Sequence, residues 1–374
     1  MRVAIVELYE HWEIVHFLRS ALRAHTLSYY LSAEVASHPM LDGLGGVHVL
    51  PAGGGRDTAT HAVVADQTNL DVVIVCTRNV DHRPWRPLSA LRIPAVLLLH
   101  DAAYGFAPAP SRLNDIGSRL RRWRWRLAGS WSRRLLLGGG PWSAFATSAP
   151  GGGAYLSASG EVRPCLVAPY ACVDAEGRPR SDAGARDTDV LRIAVPGSVD
   201  ANHRAYAPVL SALADWRARR LELSLPGALR GRDAANTAAA FEALGNDYLS
   251  VTTRRTSPEL DYATVLAKAD LLLAPVRPDV YYATLREHVG VTKGLGSLDD
   301  QIRYGKPAIV PEGIPTWPQL APATRRYADG EALRALLEDY VLSSDRSCFE
   351  AFSPSRVADR WGRFLREVTG LMDG

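Results

Sequence analysis

Short runs of consecutive apolar residues alternate along this chain with stretches where apolar residues recur every three or four positions. The runs predict strands at Val3–Leu8, Val47–Leu50, Val72–Cys76, Ala95–His100, Ala144–Thr147 and Leu166–Ala168. The spaced pattern predicts helices between them, at Trp12–Arg23 and Thr58–Gln67. The rhythm then repeats, with strands expected at Leu191–Val195, Leu221–Ser224, Leu249–Thr252, Leu271–Ala274 and Ala308–Val310. Helices are expected at His203–Arg219, Ala234–Leu244, Ser257–Ala267, Glu331–Leu342 and Pro354–Leu371. Strands that are apolar throughout are covered on both faces, as in parallel α/β sheets.

The segment Asp174–Asp189, DAEGRPRSDAGARDTD, interrupts this rhythm and holds no large apolar residue. It reads as an exposed linker. The expected organisation is an N-terminal domain over 1–173, the linker over 174–189, a C-terminal domain over 190–352 and a closing helical segment over 353–374. With 374 residues, two ordinary domains are the natural division. The predicted fold class is α/β, with two doubly wound, Rossmann-like parallel-sheet domains facing a cleft. Ligands of such sheets bind beyond the C-terminal ends of the strands.

Composition narrows the function classes. Apolar residues make up 47% and charged residues 22%, an ordinary globular balance. Lys and Arg number 43 against 40 Asp and Glu, so the net charge of +3 does not advertise a nucleic-acid partner. Cys76, Cys165, Cys172 and Cys348 match no zinc or redox spacing, which predicts a reduced, cytoplasmic chain. No apolar run approaches the ~20 residues of a membrane span. The first residues, MRVAIVELYE, read as a strand rather than a secretion signal.

Candidate chemistry gathers at strand ends. The turn after the first strand of the second half, PGSVDANHR, offers backbone amides at Gly197 and Ser198, with His203 and Arg204 close behind. Such a turn beside an arginine suits an anion. The passage TKGLGSLDDQIRYGKPAIVP places Lys293, Gly294 and Gly296 before Ser297, the expected N-cap of a short helix ending at Gly305. A glycine-rich loop before a helix suits a diphosphate, with Lys293 as a point charge. Asp300, or failing that Asp299, stands one turn into the helix and can accept hydrogen bonds from a ribose.

These pieces carry a resemblance. Ala269–Pro275 (ADLLLAP) and Gly305–Ile309 (GKPAI), in this order after the PGS turn, resemble the C-terminal half of glycosyltransferases of the GT-B fold. The resemblance implies a nucleotide-sugar donor held by Gly197, Ser198, Arg204, Lys293, Gly294, Gly296, Ser297 and Asp300, and a last helix that returns to the N-terminal domain. It implies transfer to a glycan or small-molecule acceptor in carbohydrate biosynthesis, with no metal and no cofactor. Counted back from Gly305, the family's two glutamates fall on Asp300 and Thr292, and Ser198 stands where a clamp arginine is usual. Those departures leave a non-catalytic nucleotide- or glycan-binding protein, or a nucleotide-sugar epimerase, as alternatives.

In the N-terminal half, Glu7, Glu10, His11 and Glu13 replace the family's glycine-rich first loop, and the acids are expected to be solvated with His16 partly buried. His11 and His16 lack the spacing of a zinc pair. The strand ending at His100-Asp101 delivers a histidine and an acid to the expected cleft, so His100, Asp101 and His11 are the catalytic candidates. Seven arginines fall between Arg119 and Arg134, interleaved with Trp123 and Trp131. Segment 116–137 is therefore either a helix packed on the core or a peripheral contact with anionic lipid at the inner face of a membrane.

Overall fold

The computed structural model describes residues 1–9, 11–49, 57–77, 83–106, 141–173, 189–253, 259–282, 285–341 and 345–371. Glu10, the arginine-rich segment 116–137 and nearly all of the expected linker lie outside the described residues.

The chain forms two compact units. The first comprises Met1–Tyr170, Tyr281–Gly294 and Pro354–Gly374; the second comprises Ala171–Val280 and Leu295–Ser353. Two pieces from the second half of the sequence thus belong with the first unit.

The first unit begins with β1 (Arg2–Glu7), α1 (Trp12–Ala21), β2 (Thr26–Leu31), α2 (Ala33–Ala36), β3 (Val47–Val49), α3 (Asp57–Asp66) and β4 (Val72–Val75). It continues with β5 (Ala95–Leu99), α4 (Ala102–Phe106), β6 (Trp142–Thr147), α5 (Gly152–Ala158) and β7 (Cys165–Val167). The seven strands lie in the order β3-β2-β1-β4-β5-β6-β7, and every pairing is parallel. Every residue of β4 and β5 is buried, which is why those strands read as unbroken apolar runs.

The second unit holds β8 (Val190–Ala194), α6 (Ala207–Leu213), β9 (Arg220–Leu225), α7 (Ala234–Glu242), β10 (Leu249–Thr253), α8 (Glu259–Lys268) and β11 (Leu271–Leu273). The hairpin β12 (Asp279–Tyr282) and β13 (Leu285–His288) follows, and the chain passes into the first unit within β12. It returns at Leu295 for α9 (Gly296–Tyr304), β14 (Ala308–Pro311), β15 (Thr324–Tyr327) and α10 (Gly330–Glu338). The six strands run β10-β9-β8-β11-β14-β15, all parallel. In both sheets the first strand is central and the chain moves outward on one side, then the other. Each sheet therefore has a switch point: between β1 and β4, and between β8 and β11.

The final helix, α11 (Pro354–Thr369), is part of the first unit. Val357, Trp361, Phe364 and Leu365 form its buried stripe, and Trp361 meets Phe17 of α1 edge-on at 6.2 Å. Several expected elements end differently. The helix expected over His203–Arg219 is confined to α6, because residues 201–204 form a turn in which Arg204 bridges to Val276. Asp215, at φ 51°, bars any continuation at the other end.

Candidate functional site

At the switch point of the second sheet, the turn after β8 is built around Gly197. Its φ is +79°, and a side chain there would overlap the Arg204 guanidinium. A side chain at Gly227, after β9, would overlap the Gly197 backbone in turn. Glycine at both places lets the two strand ends and the arginine share one small space. Arg204 is buried, donates through Nε to the Ser198 carbonyl at 2.9 Å, and keeps Nη1 buried without a hydrogen-bond partner in the protein. A guanidinium held this way carries a full charge and unspent donors. His203, which follows the same turn, pairs with Asp200 at 2.7 Å and is half exposed.

A hydrogen-bonded chain links this turn to α9. The Gly197 amide donates to the Tyr262 hydroxyl at 2.7 Å, and that hydroxyl donates to Asp300 at 2.8 Å. Arg303 stands 3.9 Å from the other carboxylate oxygen. Burial first, and then the Asp300 charge, push the Tyr262 phenol well above its usual pKa, so it stays a donor. Leu295, not Ser297, is the N-cap of α9, and it provides no side-chain cap. Ser297 is instead a buried residue of the first turn, because the helix starts two residues earlier than expected. A side chain at Gly296 would meet open space. Gly305 closes the helix in the left-handed conformation, as its sequence position predicts.

Lys293 and Gly294, grouped with these residues by the sequence, are placed in the first unit. Lys293 forms an ion pair with Asp101, and the two residues also bridge backbone to backbone. Gly294 lies against Ser148, whose hydroxyl would overlap any side chain there. The glycine thus has a packing reason of its own.

The first unit assembles its own polar centre around the ends of β1, β4 and β5. The rings of His11 and His100 stack at 4.8 Å, nearly parallel. His11 Nδ1 bonds to Glu13 at 2.8 Å, and His100 Nε2 lies 2.8 Å from the Cys76 carbonyl. Burial, followed by the His11 charge, lowers the His100 pKa to about 4, so the ring is neutral at neutral pH. A carbonyl only accepts, so the proton of the neutral ring sits on Nε2 and the lone pair on Nδ1.

Glu7, expected to be solvated, is fully buried, and its carboxylate accepts the Tyr9 amide at 2.7 Å. Burial raises its pKa. Glu13 is held below its usual value despite burial, by the bond to His11 and its charge. Two groups escaped the sequence reading: Tyr262, whose hydroxyl is invisible in a helical apolar pattern, and Glu287, which no motif marks. Glu287 is fully buried on β13, and burial together with nearby Asp101 pushes its pKa up to about 7. Among the described residues, no group of three or more His, Cys, Asp or Glu side chains is arranged to hold a metal. No helix among them is long and apolar enough to cross a membrane.

A glycosyltransferase from Rickettsia africae superposes with a TM-score of 0.63 at 10% identity, covering 100% of this chain and 99% of that one. Anabaena HepE in complex with UDP gives 0.60 at 12% identity, covering 98% and 100%. The protein has the GT-B fold. A Listeria monocytogenes protein assigned as a UDP-N-acetylglucosamine 2-epimerase shares the GT-B arrangement, with a TM-score of 0.55 at 13% identity over 100% and 97% of the chains. No protein-family model matches the sequence, and no curated protein matches it.

Proposed function

We propose that this chain is a glycosyltransferase. Its second unit takes the nucleoside diphosphate sugar, and its first unit takes the acceptor and supplies the base. The observation that carries this reading is the buried Arg204 guanidinium, with an unpartnered Nη1, seated against the Gly197 turn at the switch point of the second sheet. A diphosphate placed there would meet Arg204, the Ser198 turn and the uncapped first turn of α9 at Gly296 and Ser297. Asp300, oriented by Tyr262, would accept from the ribose hydroxyls. Charge on the leaving diphosphate would be neutralised by Arg204 and backbone amides, which asks nothing of a metal.

In the first unit, Nδ1 of His100 is the basic nitrogen. It would take the proton of an acceptor hydroxyl as that oxygen attacks the anomeric carbon and the diphosphate departs. Stacked His11 fixes the plane of the ring. Asp101, paired with Lys293, fixes the strand end. UDP is bound by the Anabaena neighbour, so uridine diphosphate is the first ligand to test. Titration calorimetry should show binding that weakens by about 1.5–3 kcal/mol in Arg204→Ala, the range of a charge-assisted hydrogen bond. Absence of binding by any nucleoside diphosphate would overturn the reading.

A second reading has its own support. Thr292 occupies the place of a family glutamate, and its hydroxyl accepts from the His288 amide at 2.8 Å. That favours a protein that binds a nucleotide or glycan without turning it over. The Listeria neighbour adds a nucleotide-sugar epimerase as the other enzymatic possibility. Product analysis after incubation with UDP-sugars separates the three. A cytoplasmic site of action, with peripheral attachment through segment 116–137, is also a proposal, checked by cosedimentation with anionic and neutral vesicles.

A further inference from the structure

The chain turns back into the first unit with a short segment, and Glu287 sits at its centre. This carboxylate is fully buried. It accepts from the Ala103 amide at 3.3 Å and from the Thr292 hydroxyl. Ala103 is two residues beyond Asp101, and Thr292 immediately precedes Lys293. One buried acid therefore holds both backbone segments that bring the Asp101 carboxylate and the Lys293 ammonium together. The Ala102 amide adds a bond to the Thr292 carbonyl at 2.7 Å, so the two segments are tied beside the ion pair.

A buried carboxylate at this point is costly unless its hydrogen bonds are needed. Packing alone would be served by an apolar residue, since α4, which packs against β13, carries buried Ala102, Ala103 and Phe106. Among the described residues, the charged groups acting on Glu287 include Asp101 on the side of α4 and Lys293 in the loop after β13; Thr292 adds the neutral hydroxyl.

We propose that Glu287 is the positioning residue of the His100–Asp101 strand end, fixing Asp101 against Lys293 through Ala103 and Thr292. Its effect on turnover rests on the transferase reading above; its effect on the ion pair does not. Protonation changes the charge beside Asp101, and the carboxyl titrates near neutral pH.

The test is a double-mutant cycle on Asp101→Asn and Lys293→Met, measured by urea unfolding of the full-length chain. For side chains in contact, the coupling is expected at roughly tenfold in the folding equilibrium constant. It should survive in Glu287→Gln, whose amide oxygen still accepts from Ala103 and Thr292. In Glu287→Ala it should fall to about twofold or less. A merely structural Glu287 would lower stability and leave the coupling intact, which would overturn the proposal. Should Glu287→Ala fail to fold, the wild-type coupling measured at pH 6 and pH 8 decides instead. It should change between them, whereas Glu287→Gln should be flat; equal coupling in the wild type overturns the proposal. Where turnover of a UDP-sugar is found, Glu287→Ala should lower kcat with the UDP Kd unchanged. A protein that binds no nucleotide would lose only that last arm.

Discussion

The hydroxyl of Tyr262 donates to the carboxylate of Asp300 at 2.8 Å and, on its other side, accepts the Gly197 amide. Two residues 38 apart in sequence thus set the geometry of one turn and one helix. Tyr262→Phe would orphan the Gly197 amide and release Asp300. Stability should fall by about 1–3 kcal/mol, the cost of a buried unsatisfied group. UDP affinity should fall with it, while inorganic diphosphate, which has no ribose, should be affected less. Urea unfolding and calorimetry read the two effects separately.

Two glycines of the proposed donor site should respond in opposite ways. Gly197→Ala forces a side chain onto Arg204 at a positive φ, so both stability and UDP binding should drop. Gly296→Ala enters open space at the first helical position. There stability should hold or rise by up to about 1 kcal/mol. If phosphate approaches the Gly296 backbone, affinity alone should suffer.

Two groups should make stability depend on pH in opposite senses over nearly the same acid range. Glu287 is raised to about 7 in the fold from an ordinary 4.5, so the folded state binds its proton more tightly. Its contribution is full below pH 4.5 and is lost as pH rises toward 7. His100 is lowered to about 4 from 6.5, so the unfolded state takes its proton first. Its contribution is full above pH 6.5 and is lost as pH falls toward 4. The two effects oppose each other, so Glu287→Gln should unmask a stability that rises with pH between about 4 and 6.5, and His100→Gln one that falls with pH between 4.5 and about 7.

His100→Ala should reduce turnover by about 10²–10⁴-fold, the usual contribution of a general base, and leave the UDP Kd near wild type. Because the His100 pKa lies near 4, turnover should show no inflection at 6.5 from this residue. Unchanged turnover in a working assay would return His100 to a structural role.

Lys306 lies in the GKP stretch that carries the resemblance, yet its ammonium is buried and donates to the Ala267 carbonyl at 2.7 Å, in the last turn of α8. Lys306→Met should cost about 1.5–3 kcal/mol of stability. UDP affinity should stay within about twofold of wild type.

The strands legible in the sequence were those buried on both faces, such as β4 and β5, where every position is apolar. β15 went unread because its sequence, TRRY, exposes two arginines at a sheet edge. β2 was missed because its first half, Thr26–Ser28, is incompletely buried. Asp300 could be placed near the start of a helix from Ser297 read as its N-cap, although the cap is Leu295. Its partner Tyr262 could not, since nothing local marks a contact 38 residues away. Lys293 was the sharpest divergence. Its neighbours in sequence belong to a glycine-rich loop, but the hairpin before it carries the residue to Asp101, and 192 positions separate that pair.

The path of the chain through β12 and back at Leu295, followed by the return of α11, bears on how this protein could be dismantled. Cutting at the break in pattern near residue 174 would not yield two self-sufficient cassettes. A fragment of residues 1–173 would lack Trp361, Glu287 and Lys293, leaving Phe17 without its Trp361 contact and Asp101 without its counter-ion. The complementary fragment would carry those residues with nowhere to put them. Swapping halves between proteins of this architecture at that junction would therefore fail, unless the hairpin and the closing helix travelled with the first half.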